Sequence, residues 1–174
     1  MADVVYARDA TWLPWVRGTE HGGLELVMAG GADALHDPRE FILPIQAKHL
    51  AVLREDLPRH VLLAALLQPL YYAAGIREPL DAQAASVLLQ TVLLGTPSQI
   101  DALATGAQHV DSYLVGHGAD VEALVNGELF RAVRGVIESV DHTRRAEHDI
   151  ARRRAARGVV LGQGGTRSMT SGPG

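Results

Sequence analysis

FILPIQAKHLAVLREDLPRHVLLAALLQPLYYAAG, residues 41–75, changes its apolar period part way along, and the fold turns on that change. Phe41 to Ile45 is a short apolar run interrupted by Pro44, the form of an edge strand. From Gln46 onward Leu50, Leu53 and Leu57 recur at spacings of three and four, which is helical. Pro58 opens or bends the next run, Arg59 to Ala74, Pro69 is expected to kink it, and Gly75 can end it in a left-handed cap. A sheet is therefore expected before residue 46 and helices after it.

Upstream, Val4 to Ala7 and Trp12 to Arg17 are short apolar runs, and Leu24 to Ala29 alternates with period two. Gly22-Gly23 can supply the positive φ of a hairpin, and Pro14, lacking an N–H, puts its strand at an edge. Trp12 and Trp15 would then point to opposite faces. Gly30 to Glu40 reads as a polar loop turning at Asp37-Pro38. Downstream, Asp81 is a good N-cap for Ala82 to Leu94, Gly95 ends that helix, and Thr96-Pro97 starts another. Short helices are expected from about Ser98 to Thr105 and Ala107 to Val115, with a turn or two over Asp120 to Asn126. Glu128 to about Arg157 is expected to form the longest helix. Its apolar stripe, Phe130, Val133, Ile137 and Val140, gives way to Arg144, Glu147 and Ala151, so the first half packs and the second half projects.

These segments predict an α+β protein in which a small, mostly antiparallel N-terminal sheet packs on a C-terminal helical bundle. The expected core is Leu53, Leu57, Leu62, Leu63, Leu66, Leu70, Val87, Leu88, Val92, Ile137 and Val140. A single domain spans 1–157, with a projecting C-terminal helix, and 158–174 form a tail without a core-forming pattern, expected to be disordered.

Composition narrows the function classes. The absence of cysteine excludes disulfides and cysteine-based metal sites. Val61 to Ala74, 14 residues, falls short of the ~20 that cross a bilayer, so no membrane association is expected. Met1-Ala2-Asp3-Val4 does not read as a secretory signal, and a cytoplasmic location is the expectation. The histidines show no H-E-x-x-H pattern and no pair four apart, so neither metal nor cofactor is expected. Gly162-Gln163-Gly164-Gly165 has no room after it for the helix that a nucleotide-binding turn requires.

Charge is lopsided. Residues 1–143 hold 9 Lys+Arg and 18 Asp+Glu, a net 9 − 18 = −9, whereas 144–174 hold 7 and 2, a net 7 − 2 = +5. Arg144, Arg145, Arg152, Arg153, Arg154 and Arg157 suit contact with an acidic protein partner or with the chain's own acidic surface. Intrahelical pairs such as Asp141 with Arg145 and Asp149 with Arg153 offer a purely solvated alternative. A nucleic-acid role is disfavoured, because no aromatic residue accompanies the arginines and the body would repel phosphate.

A second polar group is His49, Asp56, Arg59 and His60. If the helix were continuous, His49 and Asp56 would share a face, and a proline bend could bring His60 near as acid, base or anion clamp. The competing reading is a helix junction in which Asp56 caps the next helix and Arg59 pairs with a carboxylate. The run Phe41-Ile42-Leu43-Pro44-Ile45, followed by His49-Leu50, Leu53, Asp56-Leu57, Arg59-His60 and Leu62-Leu63, resembles the strand-to-helix segment of a domain-of-unknown-function family of small actinobacterial proteins. The likeness covers about 25 residues and implies a bacterial, single-domain protein without assigning a role to any residue. The sequence is thus read as a non-enzymatic interaction or regulatory module using its arginine-rich C-terminal helix. A small-molecule enzyme near 49–60, or weak nucleic-acid binding through the basic arm, are the alternatives.

Overall fold

A computed structural model describes the backbone of residues 3–30, 36–104 and 108–136. The chain divides into two compact units, Met1–Val140 and Asp141–Gly174, and every described residue lies in the first. The six arginines from Arg144 to Arg157, the core positions Ile137 and Val140, and the expected tail 158–174 lie outside the described residues.

Strands β1 (Val4–Tyr6), β2 (Trp15–Gly18), β3 (Leu24–Gly30) and β4 (Arg39–Ile45) form one antiparallel sheet in chain order. The protein is α+β, as the period change implies. β4 alternates cleanly, with Phe41, Leu43 and Ile45 buried and Glu40, Ile42 and Pro44 exposed. On the far face Val27 is buried where the register sets it between Trp15 and Ile42. Such cross-strand neighbours are the unit of sheet stability. Gly22 has φ 78°, as the β2–β3 hairpin requires.

One strand differs from expectation. The run from Trp12 does not begin a strand; β2 starts at Trp15 and is flanked by β1 and β3, so it is interior. Pro14 sits just outside the ladder, where its missing N–H costs no pairing, and the edge proline of this sheet is Pro44. Trp12, freed from the sheet, stacks on His117 at 4.3 Å between centroids, and His117 in turn meets Tyr113 edge-on at 4.6 Å.

The helices are α1 (Ala47–Glu55), α2 (Leu57–Ala74), α3 (Ala82–Leu94), α4 (Pro97–Asp101), α5 (Gln108–Gly116) and α6 (Val121–Val125), with a 3₁₀ turn at Ala102–Ala104 and a helical stretch over 129–136. α2 is apolar all round and buried continuously from His60 to Leu67, the signature of a central helix. It continues through Pro69 to Ala74. Asp81, Thr96 and Asp120 cap α3, α4 and α6 through their side chains, each accepting a backbone amide of the first turn. Among the described residues no helix is long and apolar enough to cross a membrane.

Leu53, Leu62, Leu63, Leu66 and Val92 lie in the core, and Leu57, Leu70 and Leu88 pack against it, half-buried. Val87 is the exception, 50% exposed, because α3 turns the side that carries Ala85, Leu89 and Val92 inward.

Gly135 marks the closest approach in the helical half. Asp120 donates its amide to the Ala132 carbonyl at 3.0 Å, and a Cβ at 135 would overlap the Gly118 carbonyl. Gly135→Ala should therefore cost about 1–3 kcal/mol in urea unfolding, despite the better helix propensity of alanine. Unchanged stability would show that the loop at 118–120 yields freely.

Candidate functional site

Asp56 is the residue between α1 and α2, so the helix is not continuous and His49 and Asp56 do not share a face. Its Oδ1 accepts the Arg59 amide at 3.0 Å, capping α2, and its Oδ2 accepts from Arg59 Nε at 3.0 Å. The remaining arms of the guanidinium donate to the carbonyls of Val92 and Gly95 at the end of α3. Placing a cation at a helix C-terminus also satisfies the macrodipole. The same guanidinium lies over the Phe130 ring, 5.5 Å from its centroid. Arg59 thus ties the start of α2 to the end of α3 and to the helical stretch at 129–136.

His60 is fully buried. Arg8 Nε–H donates to its Nδ1 at 3.2 Å, which leaves the ring proton on Nε2, where it donates to the Pro14 carbonyl at 2.8 Å. A further nitrogen of Arg8 reaches the carbonyls of Leu53 and Arg54, and Tyr6 Oη donates to Leu53 as well, so the end of α1 is capped from the N-terminal segment. Burial pushes His60 from the usual 6.5 down to about 4; the Arg8 charge adds to this and the Pro14 acceptor opposes it. The imidazole is neutral at pH 7.

His49 faces elsewhere. It is the third residue of α1 and 2% exposed. The Gln46 backbone N–H donates to Nδ1 at 3.2 Å, so Nε2 carries the proton; the carboxamide nitrogen of Gln90 in α3 stands 3.1 Å from Nε2, and because two donors cannot pair, the amide is assigned the flipped orientation with its oxygen toward the ring. Burial lowers the His49 pKa, with Gln90 opposing and Lys48 adding to the effect. Beside this pair is a cavity of about 290 Å³ bounded by β4, the start of α1 and α3.

Of the four residues singled out by sequence, Asp56 and Arg59 are brought together, His60 bridges to Arg8 and Pro14, and His49 is the one that lines the cavity. Gln90 and Ser86, which line it with His49, were missed. Their signal was faint: two polar residues four apart on a mostly apolar helix that also carries Gln83 and Thr91. Among the described residues no group of three or more His, Cys, Asp or Glu is placed to hold a metal ion.

A second feature lies at α6. Val121 and Val125 are exposed, the latter by 82%, beside the exposed acids Asp120, Glu122 and Glu128. Arg131 pairs with Glu128 at 2.9 Å and also feels Asp120 and Glu122. Three exposed acids and two exposed valines thus share this stretch, with Arg131 among the acids.

Residues 1–169 match the model of a family described as a family of unknown function (DUF6357). No curated protein and no solved structure matches the chain.

Proposed function

We propose, for a chain that belongs to this family of unknown function, that it works as a protein-interaction module whose arginine-rich segment, Arg144 to Arg157, docks on an acidic surface with an apolar centre, on a partner or on a second copy. The observation that carries the reading is the charge division, −9 over 1–143 against +5 over 144–174. Opposite charge at that scale steers association and fixes orientation more than it adds affinity. The α6 surface supports it further, since exposed Val121 and Val125 with the exposed acids Asp120, Glu122 and Glu128 offer what an arginine-rich segment needs. The reading keeps the bacterial, cytoplasmic setting expected from the sequence. A phosphate backbone suits the same body poorly.

Light scattering on the full chain and on a chain lacking 144–174 tests this. The full chain should self-associate at low salt and dissociate as salt rises, and the truncation should be monomeric. Glu122→Lys with Glu128→Lys should mimic the truncation. A truncated chain of unchanged assembly, with partner recovery also unchanged, would overturn the proposal.

A further inference from the structure

The cavity beside His49 holds chemistry that the interaction reading leaves unused. It lies between the outer edge of β4 and one face of α3, and its volume of about 290 Å³, at roughly 30 Å³ per water, would hold a ligand of about ten non-hydrogen atoms. Leu43, Ile45 and Leu89 supply apolar walls, and none of the lining residues is Asp, Glu, Lys or Arg. A carboxylate, phosphate or ammonium group entering it would meet no opposite charge among the residues that line it.

The polar side chains that line the cavity, Gln46, His49, Ser86 and Gln90, carry no formal charge at neutral pH. His49 acts as a positioning residue: with Nδ1 accepting from the Gln46 backbone N–H, its protonated Nε2 calls for the Gln90 oxygen, and a carboxamide turned that way presents its nitrogen outward as a donor. Ser86 stands one turn earlier on the same helix and lines the same space. Two donors on one wall and hydrocarbon on the others match an acceptor head on an apolar body. The other usual guest of a strand edge, an added peptide strand, is opposed by Pro44, which lines the cavity and has no N–H to pair with.

The geometry points to a binding site for a neutral, mostly apolar small molecule with an amide or carbonyl head, the head accepting from Gln90 and Ser86 and the body lying on Leu43, Ile45 and Leu89. This is independent of the arginine-rich segment and of the α6 surface.

Benzamide, with benzoate and benzamidinium as its anionic and cationic isosteres, provides the test. Each is titrated into the full chain while the histidine ring resonances are followed by NMR. Benzamide should shift the His49 signal saturably, and the two charged isosteres should bind about tenfold or more weakly. Ser86→Phe, at an exposed helix position where the fold should survive, fills the cavity and should abolish the shift; Gln90→Leu should weaken binding about tenfold by removing the donor. Circular dichroism of both variants verifies folding. Absence of a His49 response to benzamide, equal affinity for the three probes, or binding undiminished in a folded Ser86→Phe protein would each overturn the assignment.

Discussion

Lowering the pH from about 6.5 to about 4 is expected to remove on the order of 3 kcal/mol of folding stability through His60 alone. The buried ring, held neutral between Arg8 and the Pro14 carbonyl, resists a proton down to about pH 4, whereas in the unfolded chain it accepts one near 6.5. Between those values the unfolded state binds more protons, so acid favours unfolding. Above the unfolded value both states are neutral and the stability is fully present; below the folded value the loss is complete. His49 and His117, also lowered by burial, act in the same direction. Urea unfolding of wild type and His60→Gln at several pH values separates the contributions. The variant should be less stable at pH 7, and the gap should narrow steadily toward pH 4. Parallel curves would show that His60 is not the group responsible.

Arg59→Met should destabilise the protein by about 2–4 kcal/mol in the same assay. The loss does not come mainly from the ion pair, because Asp56 is about one-third exposed and solvent screens it. It comes from the carbonyls of Val92 and Gly95, which lose a charged donor at the end of α3, and from the face of Phe130. Arg59→Lys should recover less than half of the loss. A single ammonium on a flexible stem cannot reach Asp56, Val92 and Gly95 together as the planar fork does. Full rescue by lysine would mean that charge, rather than fork geometry, holds this junction.

How much of the site could be read in advance depends on sequence distance. Asp56 and Arg59 are three apart, and their junction role was legible as a cap and a pairing. His60 contacts Arg8 and Pro14, 52 and 46 residues away, and no spacing rule reaches that far. The partnership of His49 with Gln90 spans 41 residues and depends on α3 coming to rest beside α1. For the four polar residues to meet at one point the helix would have to be continuous; Asp56 interrupts it, and the break sends His49 and His60 to different surroundings. Trp12 failed as a strand residue for a comparable reason: the chain enters the ladder only after Pro14, and Trp12 instead stacks on His117, just past α5, and meets Tyr113 of α5 edge-on.

Local physics settled, from sequence alone, where the sheet ends and the helices begin and which residues cap α2, α3 and α4, because period and capping act over a few residues. Only the tertiary structure decided which strand is interior, which tautomer each buried histidine holds, and where an uncharged cavity opens. Those outcomes depend on the packing of segments far apart in the chain, where burial and hydrogen-bond geometry rather than residue spacing set the energy.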